Sequence, residues 1–196
     1  MYMKYAWFYT LLMHIILSGC TKHVNFYSGP KLPDNNVARI SGVRFRIYEQ
    51  TEVYRKNPNP KPYLPPNELV SRTTKMYCEY KEPLHSLKTL NIDGKQLVPD
   101  PNGERVGSVG LLPGSYNLKW SKEDRAGKWD GSGILNVEEC KSYLIVTAAV
   151  VGKITKFKEL YGVIGNATWI EMEKPGEEND IVLGSKPSWW QFNSKR

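Results

Sequence analysis

The chain is poor in the residues that most catalytic and metal sites need. It holds three histidines and three cysteines among 196 residues, with no Cys-x-x-Cys or His-x-x-x-His spacing for a metal. The Gly-x-Ser-x-Gly turn of many serine hydrolases is also absent. A nucleophile and base would have to come from Cys78 and His85, which we interpret as a structural cysteine and a surface histidine. The sequence therefore predicts no enzymatic activity, no catalytic residues and no metal site.

Long apolar runs are absent as well. The longest spans residues 5–19, which is 15 residues, and Thr10 and His14 interrupt it. A helix that crosses a bilayer needs about 20 apolar residues. We therefore expect this segment to be a cleaved signal and not a permanent membrane anchor.

A lipobox closes this apolar segment. Lys4 precedes the run, and Leu17-Ser18-Gly19-Cys20 ends it, which is the charged, apolar and small-residue order of an export signal. A cysteine at the cleavage point is similar to a bacterial lipoprotein signal, in which cleavage falls between Gly19 and Cys20 and the thiol carries a diacylglycerol. Two or more acyl chains hold a protein stably on a membrane. This covalent lipid on Cys20 is the one bound group that the sequence predicts.

The signal sets the predicted domain boundaries. Residues 1–19 are the signal peptide, 20–36 a lipidated polar tether, 37–184 a β-sandwich domain and 185–196 a polar, Trp-containing tail. Removing residues 1–19 from the 196-residue chain leaves 177 residues, enough for one domain with a sizeable core.

Charge limits the partners. Lys4 is the only charged residue lost with the signal, so the net charge of +7 becomes +6. This balance suits anionic phospholipid headgroups, lipopolysaccharide phosphates or peptidoglycan carboxylates, and it equally suits a solvated basic surface. No nucleic-acid partner is predicted, because an exported lipoprotein rarely meets one.

Cys78 and Cys140 remain once Cys20 is lipidated. An even pair in an oxidising compartment is a disulfide candidate. The alternative is two unpaired thiols.

The pattern of the chain after residue 36 is that of short strands and tight turns. Val43–Tyr48 alternates apolar and polar residues, and Tyr143–Val151 is apolar on both faces, which is typical of a strand in the middle of a sheet. Asp93-Gly94 and Leu111–Gly114 are turn sequences. Residues 55–67 carry five prolines and are predicted to form a surface loop. We therefore expect a mainly β, antiparallel β-sandwich with no long helix.

Three tryptophans are candidates for partner binding. Trp129 lies in a Gly-rich stretch, and Trp189 and Trp190 lie in the polar tail. Exposed Trp beside Lys and Arg suits a partner surface or lipid headgroups. A tail that folds back over the domain is the alternative for Trp189 and Trp190. Trp120 and Trp169 lie in strand patterns and are predicted to be core residues.

Several short motifs together resemble a known group of proteins. They are Tyr27–Pro33, Val37–Ile40, Ile92–Gly94, Leu111–Tyr116 and Cys140–Tyr143. Their order is similar to that in uncharacterised proteobacterial lipoproteins with a PEGA-like β-sandwich module. The chain departs from that pattern at Cys140, where glycine is usual, and in its long Pro-rich insertion before residue 67. The resemblance implies an envelope lipoprotein and supplies no catalytic residues.

These observations predict a lipid-anchored, non-catalytic binding or accessory subunit of an envelope protein assembly. The alternative is a lipoprotein that binds peptidoglycan or another anionic glycan, and a hydrolase is a weaker third. Thr21 follows the lipidated cysteine, whereas retention in the inner membrane resembles a rule that requires Asp there. The expected location is therefore the outer membrane, facing the periplasm.

Overall fold

Strands dominate the fold. The computed structural model describes residues 21–56, 67–125, 127–153, 161–174 and 180–184. The strands in these ranges are Lys22–Asn25 (β1), Ala38–Lys56 (β2), Asn67–Glu82 (β3), Thr89–Ile92 (β4), Lys95–Val98 (β5), Val106–Leu111 (β6), Gly114–Asp124 (β7), Gly127–Val137 (β8), Ser142–Lys153 (β9), Tyr161–Met172 (β10) and Asp180–Leu183 (β11). Short 3-10 helices occur at Asp34–Asn36 and Leu84–Ser86. The prediction of a mainly β fold is confirmed.

The strands form two sheets. A seven-stranded sheet has the order β1-β6-β2-β9-β10-β11, with β3 also paired to β2, and a four-stranded sheet has the order β5-β4-β7-β8. The pairs β1/β6 and β2/β9 are parallel, so the larger sheet is mixed and not purely antiparallel as predicted. Between β2 and β9 the chain passes through β3 and β6 of the larger sheet and through the four strands of the smaller one. Parallel neighbours need a long connection of this kind.

The main apolar core draws on both sheets. Its buried members include Ile40, Val43 and Ile145 of the larger sheet and Leu90 and Leu118 of the smaller one. The predicted central strand is confirmed, because β9 lies between β2 and β10 and its residues from Tyr143 to Val150 are buried.

The predicted turns occupy their expected places. Asp93 and Gly94 connect β4 to β5 with positive φ angles of 48° and 80°, the left-handed pair that a two-residue hairpin needs. The Leu111–Gly114 sequence ends β6 and begins β7.

Part of the predicted tether belongs to the larger sheet. β1 lies inside the predicted tether and pairs with β6, and the Lys22 amide donates to the Arg105 carbonyl at 2.7 Å. Glycines on β6 explain the close approach: a Cβ at Gly107 would lie 2.7 Å from the Cβ of Thr21. This strand was not predicted because its residues are mostly polar, as an edge strand that is only partly buried allows.

A two-stranded arm extends from the larger sheet. β2 pairs with β9 as far as Gln50 but with β3 as far as Lys56. Beyond β9, residues Thr51–Lys56 therefore pair with Asn67–Thr73 alone among the described strands. The predicted Pro-rich loop joins these two strands, and residues 57–66 lie outside the described part of the chain.

Candidate functional site

Four predicted site residues lie outside the described ranges. They are Gly19, Cys20, Trp189 and Trp190. Thr21 is the first described residue, so the structure does fix the surroundings of the position next to Cys20. No helix among the described residues is long and apolar enough to cross a membrane.

Trp129 is a core residue, and its prediction as a binding residue is wrong. Its side chain is 2% exposed, packs edge-on against Phe45 with ring centroids 5.6 Å apart, and donates from Nε1 to the Ala148 carbonyl at 2.9 Å. Neighbouring glycines indicated a turn, but they belong to β8, and strand alternation points Trp129 inward. Trp120 and Trp169 are buried as predicted.

Cys78 and Cys140 are free thiols in this structure, so the candidate disulfide is not formed. The pairing of both segments with β2 gives the distance between the two cysteines. Cys78 pairs with Ile47 of β2. Ser142, which follows Cys140 by two residues, pairs with Arg39 of β2. The eight-residue separation along β2 corresponds to about 26 Å. A disulfide requires Cα atoms within about 7 Å.

His85 lies in the short 3-10 helix Leu84–Ser86. Its Nδ1 atom is buried and has no hydrogen-bond partner in the described structure. Nowhere in the described ranges do three or more His, Cys, Asp or Glu side chains gather in a way that would hold a metal ion.

The strongest charge cluster spans β2, β3 and β10. Arg46 donates to Glu171 through two nitrogens, at 2.6 and 3.1 Å, and to Glu79. Arg44 lies 3.6 Å from Glu171, and Trp169 donates to the same carboxylate at 2.9 Å. Glu171 is 1% exposed. Two arginines and an indole converge on this buried carboxylate and form a structural ion network that joins the three strands.

Glu173 extends this network toward the start of β9. Burial raises the pKa of Glu173, but hydrogen bonds from Lys81, Ser142 and Ser41 outweigh that effect and lower it. The Glu173 carboxylate is therefore held in its ionised form, and it links β3, β9 and β2.

Four of the exposed large apolar side chains in the described part of the chain lie on β3. They occupy both faces of the strand, because Met76 pairs with Tyr48 and Tyr80 pairs with Phe45. Exposed fractions are 56% for Met76, 73% for Tyr77, 46% for Tyr80 and 42% for Leu69. Among the described strands β3 pairs with β2 alone, so no described strand lies along its other edge. Such an edge is a template for association with another chain. We call these four side chains the β3 edge patch.

A β-bulge sets the position of Tyr77. Ile47 pairs with Cys78 and the next residue, Tyr48, pairs with Met76, which leaves Tyr77 as the extra residue of β3. Bulges at sheet edges re-aim a side chain, and here the ring is mostly solvent-exposed. In the sequence, the signal for this surface is the pair of aromatic residues, Tyr77 and Tyr80, beside Cys78.

A second feature is a groove beside the start of β1. It has a volume of about 450 Å³ and is lined by Thr21, Lys22, His23, Ser41, Lys81, Glu82, Pro83, Gly107 and Ser108. We call it the anchor groove, because Thr21 follows Cys20 directly. Its lining combines hydroxyl, imidazole, lysine and carboxylate residues with apolar surface. The prediction of a tether over residues 20–36 gave no indication of this groove.

His23 makes the anchor groove sensitive to pH. Its Nδ1 lies 2.8 Å from the Ser108 hydroxyl. Burial lowers the pKa of His23 from 6.5, and the nearby Arg39 lowers it further. Below pH 6.5 the unfolded chain therefore binds a proton at this residue more readily than the folded one, and folding stability falls as the pH drops.

We expect the thermal unfolding midpoint of the unsubstituted protein to be lower at pH 5.5 than at pH 7.5. We expect this decrease to be smaller in His23→Gln. Unfolding followed by circular dichroism at both pH values measures the difference. The same loss in both proteins would show that His23 does not carry this dependence.

Comparisons with known proteins add no relative: no family model, no curated protein and no solved structure matches the chain.

Proposed function

We propose that this protein is a lipid-anchored, non-catalytic component of the bacterial envelope that binds a partner protein through the β3 edge patch. The observation that carries the proposal is the combination of a free strand edge with four exposed apolar side chains. Large aromatic and Met side chains are enriched at protein interfaces. In a folded domain with a separate buried core, their exposure supports a docking role.

The lipobox supports the anchoring half of this proposal. Leu17-Ser18-Gly19-Cys20 supplies the attachment point, and Thr21 favours the outer membrane. The role is that of an accessory subunit, which holds its partner at the membrane without chemistry of its own.

Replacing Cys20 tests the anchor. Cys20→Ser is expected to move the protein from the membrane to the soluble fraction, because the acyl chains are lost. Fractionation of cells followed by immunoblotting measures this, with Cys78→Ser as the matched cysteine control that stays in the membrane. Membrane retention of Cys20→Ser would contradict lipid anchoring through this residue.

Two substitutions on β3 test the docking surface. Met76→Ser with Tyr77→Ser is expected to abolish recovery of the partner protein after cross-linking and purification, since both side chains are exposed and the fold does not depend on them. Ile134→Ser is the control, because Ile134 is 65% exposed on β8 of the other sheet. Equal loss in both variants would contradict a specific role for β3.

An anionic glycan is the second candidate. Lys75 precedes Met76 on β3 and is exposed, so a cation and aromatic rings occur together on this edge. Salt separates the two candidates, because charge-led binding weakens as ionic strength rises and apolar docking does not.

A further inference from the structure

The folded domain begins immediately after the predicted lipid attachment site. β1 starts at Lys22, and Thr21 contacts Gly107 of β6 and lines the anchor groove. Consecutive Cα atoms lie about 3.8 Å apart, so the Cα of Cys20 is that close to the Cα of Thr21. A lipid on Cys20 would therefore place the membrane surface next to this groove, with no tether between them.

The lining of the groove is rich in hydrogen-bond donors. Lys22, Lys81, Thr21, Ser41 and Ser108 line it together with Glu82. The Ser41 hydroxyl already donates to Glu173, and the carboxylate of Glu82 is paired with Lys122. Phosphate oxygens accept hydrogen bonds from hydroxyl and ammonium groups, and those from ammonium groups are the stronger.

Both lysines keep donors available. Lys22 pairs with Glu104, and Lys81 pairs with Glu173 at 3.0 Å, but an ammonium group has three donors. The Lys22 pair is about half-exposed on both sides, and ion pairs of that kind hold weakly in water. A phosphate can therefore bind these ammonium groups without breaking the fold.

We propose that the anchor groove binds the phosphate of a phospholipid headgroup in the leaflet that holds Cys20. The lipid on Cys20 attaches the domain, and the headgroup contact fixes its orientation, so that the β1 end of the larger sheet faces the membrane. The proposal rests on the lipid anchoring proposed above, and it adds a second, non-covalent membrane contact.

Hydrogen exchange on the membrane-bound protein tests this contact. The purified lipoprotein is placed in vesicles of phosphatidylglycerol and phosphatidylcholine, or in vesicles of a phosphate-free galactosyl diacylglycerol. Backbone exchange is followed in peptides that cover Thr21–Asn25 and Lys81–Pro83. We expect roughly tenfold slower exchange of these peptides in the phospholipid vesicles, the factor that corresponds to about 1.4 kcal/mol.

Lysine variants locate the contact. Lys22→Gln with Lys81→Gln should remove the protection, whereas Lys119→Gln, an exposed lysine on β7, should retain it. Equal exchange in the two vesicle types would overturn the proposal. Inorganic phosphate is also added to the galactolipid vesicles. If it slows backbone exchange as much as the phospholipid vesicles do, the assignment to a lipid headgroup is overturned. Protection lost equally in Lys119→Gln would overturn the location.

The intact mass of the purified protein separates this proposal from the anchoring proposal. A mass without acyl chains contradicts lipidation of Cys20 but leaves the groove testable in the Cys20→Ser chain, with monomeric short-chain phosphatidylglycerol as the probe. Protection of Thr21–Asn25 by this probe supports the groove as a phosphate site, and no protection overturns it.

Discussion

Glu171→Leu is expected to lower the free energy of unfolding by about 3–5 kcal/mol, the usual cost of removing one partner from a buried ion pair. The substitution removes the carboxylate that accepts from Arg46 at 2.6 Å and from Trp169 at 2.9 Å. Arg46 is itself buried, so its charge would lose its closest buried partner. Chemical denaturation of the purified protein measures the effect.

A second variant separates the buried charge from the loss of packing. Arg46→Met combined with Glu171→Leu should be less destabilising than Glu171→Leu alone, because the buried charge of Arg46 is removed together with its partner. Lys88→Ala is the surface control, since the ion pair of Lys88 with Glu123 is exposed. This substitution should leave the denaturation midpoint unchanged. A loss below about 1 kcal/mol in Glu171→Leu, the range of exposed pairs, would show that the network is not a stabilising element.

Gly131→Ala is expected to cost about 2–4 kcal/mol, because the added methyl group overlaps a buried ring. Gly131 lies opposite Trp120 across β7 and β8, and its Cβ would lie 2.8 Å from Nε1 of that indole and closer still to the ring carbons. Trp120 donates to the Thr168 hydroxyl of β10 at 2.8 Å, so displacing the ring also breaks a hydrogen bond between the two sheets.

Gly165→Ala is the matched control. A Cβ at Gly165 meets no atom within 4 Å, and the residue lies in a strand like Gly131. Its denaturation midpoint should stay close to that of the unsubstituted protein. Similar losses in the two variants would mean that general glycine replacement, and not the Trp120 contact, explains the effect.

Local signals in the sequence predict the local structure well. Asp93 and Gly94 form the expected turn because only a few residue types accept positive φ angles. Tyr143–Val151 becomes a central strand because apolar side chains on both faces need cover on both sides. Neither feature depends on distant parts of the chain.

Features that depend on distant residues were not predictable in this way. The parallel pairing of β2 with β9 joins segments about 100 residues apart, and the ion network joins Arg46 to Glu79 and Glu171. Periodicity reports which face of a strand is apolar but not which strand lies beside it. Trp129 shows the same limit, because its glycine neighbours belong to a strand whose packing partner, Phe45, lies far away in the sequence.

The candidate site also combines features that a local sequence pattern can predict with features that depend on distant residues. The predicted lipobox is a contiguous motif, so a sequence can suggest it, whereas the anchor groove requires Thr21, Ser41, Lys81 and Gly107 to meet. The β3 edge patch depends on which strand edge stays unpaired, and that is a property of the sheet order. Tyr77 is exposed at a β-bulge, and no local sequence pattern predicts that bulge.

Site-specific photo-cross-linking in intact cells tests the central claim, that β3 docks a partner protein. A benzoylphenylalanine residue replaces Tyr77 in one strain and Ile134 in another, and the cross-linked products are identified by mass spectrometry. We expect one reproducible envelope protein joined to position 77 and absent at position 134. Products at both positions alike, or no protein product at position 77, would contradict docking through β3.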